Sequence, residues 1–338
     1  MLVRGSIKTT VLFLAALLAV VTFSACSGAN QRNYEPILPS EGRTIQHARG
    51  ETVVPRMPQR VVLLGAVVDA LALGIEPVGA AFSGFPQRAK SDELAPLLGD
   101  RTEGITVLGH VSQPDLERIV ELQPDLILLV GTKGSGNFYS RLAQIAPTVV
   151  IDFSRGAAAW QAYVLEAATA LGKPDEAQAL IQQYERRVAQ FQAAMGDRLD
   201  TTVVSVARFL AERFRIYQQN SFSGAVLAEI GLPRPESQQR NRSYQNISIE
   251  KLSSMDGDAL FFMQDNPEQS TLTRVRNNPL WSQLGVVQQG QVYEVSLEVW
   301  FLNAGIVNAH MILNDLFRTL VPNGEQYVIH QVGELTLP

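Results

Sequence analysis

Arginine and aromatic side chains beside predicted elements in the second half of the chain indicate anion binding. Arg208 directly follows the apolar run 203–207, and a guanidinium is expensive to bury unless an anion or a carboxylate meets it. Arg242 lies in a polar loop, and Trp300 stands just before a predicted helix. An aromatic ring beside two arginines suits a bulky anion with apolar parts, through stacking and bidentate hydrogen bonds.

Each of these three positions also has a simpler explanation. Arg208 can form an internal ion pair, Arg242 can be a solvated loop residue, and Trp300 can be a core or lobe-capping residue. The further candidate ligand-binding residues share positions in or next to loops between predicted elements, and they are Phe82, Phe85, Arg88, Lys133, Tyr244 and Gln264.

Motifs for catalysis and for metal binding are absent from the sequence. It contains no GxSxG, GxxxxGK[ST], HExxH or GxGxxG pattern. The spacing of the four histidines does not match a metal-binding motif; they are His47, His110, His310 and His330. The loop 131–136 is glycine-rich and can hold an anion on backbone N–H groups, although a flexible loop explains it as well. We therefore expect neither a cofactor nor a metal site of the protein's own.

Alternating strands and helices must position these candidates. Short apolar strands alternate with helical patterns along residues 60–152 and again along residues 202–320, which indicates βαβ units and mostly parallel sheet. Between them, residues 175–195 contain no helix breaker and would span about 32 Å as a helix. The sequence thus predicts two Rossmann-like α/β lobes joined by one long helix, with a ligand cleft between the lobes. One larger doubly wound domain is the alternative.

The ends of the parallel strands define where a ligand should bind. In open α/β sheets, ligands bind outside the carboxyl ends of the strands, and two lobes on one helix can turn those ends toward each other. We place the N-terminal lobe at residues 44–156, the helical linker at 157–197 and the C-terminal lobe at 198–338.

The N-terminus has the pattern of an exported lipoprotein. Arg4 and Lys8 precede the apolar run 11–21, which fits a secretory signal and is too short to span a membrane. Cys26 follows this run, and the arrangement looks like the lipobox of bacterial lipoproteins, in which that thiol carries diacylglycerol. We expect a signal peptide in residues 1–25, a lipid on Cys26 and a flexible tether in residues 26–43. An ordinary signal peptide with an incidental cysteine, or an uncleaved anchor, would also put the rest of the chain outside the cytoplasmic membrane.

Charge and cysteine content exclude two further classes. The formal net charge is −5, which argues against a nucleic-acid partner because such proteins present a basic face. Cys26 is the single cysteine, so no disulfide can form within the chain, and the core must hold by burial alone.

A series of short segments, taken in order, resembles the substrate-binding lipoproteins of bacterial ABC importers, in the class that carries ferric siderophores, haem and cobalamin. In the first half these segments are HARGETVVP at 47–55, PQRVV at 58–62, LGIEPVG at 73–79, PDLE at 114–117 and LQPDLI at 122–127. In the second half they are ISIEKL at 247–252, DAL at 258–260 and NPLW at 278–281. The opening segment and the stretch FRIY at 214–217 are most similar to iron–siderophore binders.

The resemblance implies roles for particular residues. One exposed glutamate in each lobe, Glu117 in PDLE and Glu250 in ISIE, would dock on the permease dimer, and Arg208 and Arg242 stand where family members place anion-binding arginines. We therefore expect a monomeric, lipid-anchored receptor that captures a ferric siderophore and delivers it to the permease, with iron held by the siderophore. The alternatives are a cobalamin or haem binder of the same class, a surface-anchored hydrolase, and a structural or sensor lipoprotein.

Overall fold

The first half of the chain forms a six-stranded sheet preceded by a hairpin. The computed structural model describes residues 42–82, 103–131, 136–330 and 334–335. The hairpin consists of β1 (Gly42–His47) and β2 (Gly50–Pro55). The sheet strands are β3 (Val61–Leu64), β4 (Gly79–Phe82), β5 (Thr106–His110), β6 (Gln113–Pro114), β7 (Leu126–Gly131) and β8 (Thr148–Asp152), in the order β6-β5-β4-β3-β7-β8. All neighbours in it are parallel except β5 and β6.

Helices cover this sheet because its central strands are apolar on both faces. All four residues of β3 are buried, as expected for a strand of a parallel sheet between two layers. The helices here are α1 (Val67–Ala72), α2 (Leu116–Glu121) and α3 (Gly136–Leu142). The side chain of Asp115 accepts a hydrogen bond from the backbone N–H of Arg118 and so caps the N-terminus of α2. We call this sheet and its helices the N-terminal lobe.

Two consecutive helices connect the halves. They are α4 (Trp160–Leu171) and α5 (Pro174–Met195). Gly172 ends α4 in the left-handed conformation, with φ 79°, and Pro174 starts α5 at a position where its missing N–H costs nothing. The predicted long helix is therefore present, and it begins one residue before the predicted start.

The second half forms a five-stranded sheet, which we call, with its helices, the C-terminal lobe. Its strands are β9 (Val204–Phe209), β10 (Phe214–Tyr217), β11 (Tyr244–Ile247), β12 (Ala259–Gln264) and β13 (Val292–Glu294), in the order β11-β10-β9-β12-β13. Its helices include α6 (Phe222–Ile230), α7 (Leu272–Arg276), α8 (Pro279–Ser282), α9 (Gly285–Gln288) and α10 (Ile306–Leu320).

The prediction of mostly parallel sheet holds for the N-terminal lobe but not for the C-terminal one. Strand β12 is parallel to β9 and β13, whereas β10 is antiparallel to both β9 and β11. The reason is the short connection between β9 and β10, residues 210–213, which is too short for the crossover that a parallel neighbour needs. This hairpin brings Arg208 directly opposite Arg215.

Candidate functional site

A cavity of about 450 Å³ lies between the two lobes. The N-terminal lobe contributes residues at or just beyond the carboxyl ends of its parallel strands, among them Gly65, Ala66, Val130 and Phe153. The contributors from the C-terminal lobe and the segment before α10 include Tyr217, Ser221, Phe222, Ser243, Tyr244, Phe301, Asn303 and Asn308. Tyr163 and Ala167 on α4 also line it. The predicted cleft between lobes is thus present, and its walls are mainly apolar and aromatic.

Arg208, the first candidate from the sequence, forms an internal ion pair. Its Nε lies 2.5 Å from Oδ1 of Asp265 and its Nη2 lies 2.8 Å from Oδ2, which is a bidentate pair. Its Nη1 donates to the hydroxyl of Tyr217 at 3.4 Å, and the guanidinium carbon lies 4.4 Å from the ring centroid of Phe301. Arg208 is only 8% exposed. It reaches the cavity through Tyr217 and Phe301, both of which line the cavity.

Arg215 is a second buried arginine on the same face of the sheet. It is 7% exposed, and its guanidinium carbon lies 4.1 Å from the ring centroid of Tyr244. Across the described ranges, no hydrogen bond or ion pair reaches this guanidinium, and Nε is buried without a partner. A buried cation in that situation is costly and calls for an anion. Sequence reasoning missed Arg215 as a site residue, although a charged residue between the apolar Phe214 and Ile216 was the available signal.

Arg208 and Arg215 do not line the cavity themselves, but each contacts a tyrosine that does, Arg208 contacting Tyr217 and Arg215 contacting Tyr244. Burial raises the pKa of the Tyr217 hydroxyl, and the positive charges of Arg208 and Arg215 only partly oppose that shift. The phenol is therefore neutral near pH 7. Because its oxygen accepts a hydrogen bond from Arg208, its own proton can be donated to a group in the cavity.

The floor of the cavity carries a buried carboxylate. Asp69 on α1 is 8% exposed, lines the cavity and accepts hydrogen bonds from the backbone N–H groups of Ile306 and Val307 at the start of α10. Burial raises its pKa to about 6, against the lowering effect of those two hydrogen bonds. Asn308 also lines the cavity, and no partner for its buried Oδ1 is found in the described part of the chain.

The other predicted ligand-binding residues take different positions. Tyr244 is 44% exposed and lines the cavity. Arg242 is exposed and donates to Oε1 of Gln245 at 3.0 Å, and Gln264 donates to Oε1 of Glu294 at 2.7 Å. Neither Arg242 nor Gln264 is among the residues that line the cavity.

Trp300 and Phe82 are packing residues in this structure. Trp300 is 1% exposed, its Nε1 donates to Asp315 at 2.7 Å, and its ring stacks on Phe261 with 4.9 Å between centroids. Phe82, at the end of β4, packs against the main core. A ligand in the cavity does not reach the Trp300 ring in this conformation, so the core explanation fits this tryptophan best. Phe85, Arg88, Lys133 and Cys26 lie outside the described residues.

The two docking candidates are both exposed carboxylates near helix starts. Glu117 is in the first turn of α2, and Glu250 is in the first turn of the short 3₁₀ segment Ile249–Met255. A hydrogen bond from Ser248 lowers the pKa of Glu250, so this carboxylate is ionised near neutral pH. Neither residue lines the cavity between the lobes.

Comparison with known proteins identifies the family. Residues 63–297 match the family described as periplasmic binding protein. That match covers well over half of the chain. This chain belongs to the periplasmic binding protein family. The family is a class of binding proteins.

Several relatives resemble this periplasmic binding protein over most of its length. The probable siderophore-binding lipoprotein YfiY of Bacillus subtilis (strain 168) is 33% identical, and the match covers 89% of this chain and 94% of the relative. The Fe(3+)-citrate-binding protein YfmC of the same organism is 31% identical over the same shares of both chains. The crystal structure of Staphylococcus aureus SirA complexed with staphyloferrin B superposes with a TM-score of 0.70 at 27% identity and covers 82% of this chain and 98% of SirA.

Metal-binding clusters and membrane-spanning helices are both absent from the described ranges. There, no group of three or more His, Cys, Asp or Glu side chains is placed to hold a metal ion. Likewise, no helix in those ranges has both the length and the apolar character to cross a membrane.

Proposed function

We propose that this periplasmic binding protein captures an anionic ferric siderophore in the cavity between its lobes and delivers it to an ABC permease. The observation that carries the proposal is Arg215, a buried guanidinium without a partner in the described part of the chain, beside Tyr217 and Tyr244. The site supplies a positive charge, a phenolic donor and aromatic surface. An iron chelate with carboxylate groups and an apolar backbone uses all three.

The size and polarity of the cavity fit this ligand class. Small-molecule sites are commonly clefts of about 300–1,000 Å³ with mostly apolar walls and a few polar groups, and this cavity of about 450 Å³ is of that kind. Relatives named for siderophore and ferric citrate binding support the same class. The chelator would hold the iron itself, and the protein would contact only the chelator.

Delivery requires a contact with the permease and a place at the membrane. We infer that Glu117 and Glu250 dock on the permease, because both are exposed carboxylates away from the cavity. Lipidation of Cys26 would tether the monomeric protein outside the cytoplasm.

Replacing both Glu117 and Glu250 by alanine should leave the affinity for the chelate within about twofold of the wild type and reduce uptake of labelled iron at least tenfold. Normal uptake by cells that carry the double variant would contradict this role.

A titration tests the ligand class. The purified chain from Ser27 onward is titrated with ferric citrate, a ferric trihydroxamate, a ferric catecholate, haem and cobalamin, with binding followed by tryptophan fluorescence and calorimetry. We expect micromolar or tighter binding of at least one ferric chelate, and clearly weaker binding of the same chelator without iron. Tight binding of haem or cobalamin, with no response to any of the three ferric chelates, would refute the siderophore proposal.

A further inference from the structure

Two buried arginines face each other across neighbouring strands, and within the described ranges an acidic partner is found for only one of them. Arg208 on β9 pairs with Arg215 on β10, so both side chains project from the same face of the sheet. Like charges in directly opposite positions repel each other. Both residues are nevertheless less than a tenth exposed. The sheet therefore concentrates two positive charges close to the cavity.

A single carboxylate moderates this charge. Asp265 follows β12, the parallel neighbour of β9, and its backbone N–H donates to the carbonyl of Phe209 at 3.4 Å. That placement directs its carboxylate at Arg208, at 2.5 and 2.8 Å. Its side chain is 27% exposed, against 10% for that of Arg208. The cluster of Arg208, Arg215 and Asp265 thus carries one net positive charge.

Three of the five N–H donors of Arg208 are engaged, whereas no engaged side-chain donor of Arg215 is found among the described residues. Around Arg208, two N–H groups bind Asp265, another binds Tyr217, and Phe301 covers one face of the guanidinium. Around the Arg215 guanidinium, the ring of Tyr244 makes a cation–π contact, and no hydrogen bond or ion pair from another described residue is found. Among the described residues, Arg215 therefore offers donors to an incoming anionic group that enters beside Tyr244, whereas a second anionic group near Arg208 meets the carboxylate of Asp265.

We propose that Asp265 is a specificity-determining residue, which neutralises Arg208 so that the C-terminal lobe accepts one anionic group of the ligand and disfavours a second. This inference rests on the proposed function of the cavity. It assigns Asp265 a part in selecting among iron chelates by charge, and it makes Arg215 the cation that meets the ligand. A chelate that presents several carboxylates to Arg208 and Arg215 therefore binds less tightly than it would if residue 265 carried no charge.

The test compares chelates of different charge in Asp265→Asn. Asparagine keeps the size of the side chain and removes its charge. Dissociation constants are measured for ferric citrate and for a ferric trihydroxamate of zero net charge. We expect Asp265→Asn to bind ferric citrate about tenfold more tightly at low salt, and to bind the neutral chelate within about twofold of the wild type. The gain should shrink as sodium chloride rises, because salt screens the added attraction.

Two further variants separate the charge effect from other causes. Glu121→Gln removes one exposed carboxylate at the end of α2 that does not line the cavity, and should leave the affinity for ferric citrate unchanged. The double variant Arg208→Gln with Asp265→Asn restores one net positive charge, carried by Arg215, and should bind ferric citrate within about threefold of the wild type. Thermal melting of each variant verifies that it is folded.

The outcomes distinguish this inference from the function on which it rests. If the wild type binds an iron chelate but Asp265→Asn binds ferric citrate equally well or less tightly, Asp265 does not select by charge, and the proposed function still stands. If the double variant loses ferric citrate binding, Arg208 itself contacts the ligand and the inference is wrong. If no ferric chelate binds the wild type or any variant, both the proposed function and this inference fail.

Discussion

At the scale of single residues, Arg215 combines a stability cost with a binding role. A guanidinium that is 7% exposed, and for which no hydrogen bond or ion pair is found in the described ranges, loses hydration that no polar partner there replaces. The face of the Tyr244 ring offsets part of that loss. Proteins retain such costly groups where function requires them, so binding and stability should respond in opposite directions when Arg215 is replaced.

Arg215→Met should stabilise the protein and weaken binding. Methionine fills a similar volume without a charge, so we expect the free energy of unfolding to rise by about 1 kcal/mol. The affinity for ferric citrate should fall at least tenfold, because the unpaired cation is removed. Urea unfolding and calorimetric titration measure the two quantities.

Arg208→Met is the matched control for that substitution. It would leave Asp265 without its bidentate partner in a partly buried position, so the free energy of unfolding should drop by roughly 2–3 kcal/mol. Opposite signs for the two methionine variants are expected. A loss of stability in both would mean that Arg215 has a structural partner in the folded protein.

The sequence identified one of these arginines and missed the other for a physical reason. An apolar strand that ends in arginine was enough to single out Arg208 and to raise an internal ion pair as the alternative, which is what the structure has. Its partner Asp265 lies 57 residues further along the chain. Strand β10 is antiparallel to β9 because a short turn joins them, whereas the βαβ pattern of the sequence predicts parallel neighbours. The pairing of Arg208 with Arg215 was therefore not predictable.

At the scale of elements, the N-terminus of α10 in the C-terminal lobe contacts the N-terminal lobe. The backbone N–H groups of Ile306 and Val307 bind the carboxylate of Asp69 on α1, which suits the positive end of a helix dipole. Gly305 permits this approach, because a Cβ at that position would collide with the Asp69 carboxylate. One carboxylate thus holds a helix of the C-terminal lobe against a helix of the N-terminal lobe at the floor of the cavity.

Asp69→Asn should stabilise the protein near neutral pH and not in acid. The pKa of Asp69 is about 6 in the folded protein against an ordinary 3.8. Between these pH values the folded protein keeps a proton that the unfolded chain has released, so this group's contribution to stability declines as pH rises toward 6 and stays lost above it. Asparagine still accepts the capping hydrogen bond but never ionises. We expect a gain in the free energy of unfolding of about 2 kcal/mol at pH 7.

Unfolding in urea at two pH values checks this prediction. At pH 4, where Asp69 is protonated in the folded protein, the difference between Asp69→Asn and the wild type should nearly vanish. Asp69→Ala removes the cap altogether and should cost about 1 kcal/mol even at pH 4. An equal gain for Asp69→Asn at both pH values would show that ionisation of Asp69 is not the cause.

Most elements around these residues were predictable from the sequence, and their lateral contacts were not. The helix predicted at residues 175–195 became α5 with one added residue at its start, and the predicted alternation of strands and helices is present in both halves, because apolar runs, glycine stops and an early proline are local signals. The hairpin of β1 and β2 and the strand β11 were missed, since short half-exposed segments have weak patterns. The cap from Asp69 to α10 joins residues more than 230 positions apart, beyond any local signal.

At the scale of the whole molecule, one hydrophobic core runs through both lobes and the connecting helices. It includes Leu128 of the N-terminal sheet, Phe191 of α5 and Phe261 of the C-terminal sheet. Polar contacts reinforce this continuity. Arg187 on α5 binds the carbonyl of His310 and Oδ1 of Asn314 on α10, at 3.0 and 2.6 Å. Closing the cleft by a large rotation would break this packing, so the lobes should move little on binding.

The shared core also predicts that the two lobes unfold together. Leu128→Ala creates a cavity in β7 and should reduce the free energy of unfolding by about 3 kcal/mol. Because the core is continuous, that loss should lower the urea concentration at which the amides of β12 lose half of their protection as much as it does for those of β7. Hydrogen exchange of peptides from each strand measures both midpoints. Met255→Ala, in the separate cluster behind the C-terminal sheet, is the reciprocal substitution and should likewise lower both midpoints. If β12 stays protected at urea concentrations where β7 exchanges freely, the lobes are independent folding units, and the α4–α5 connection is a hinge that permits wide opening.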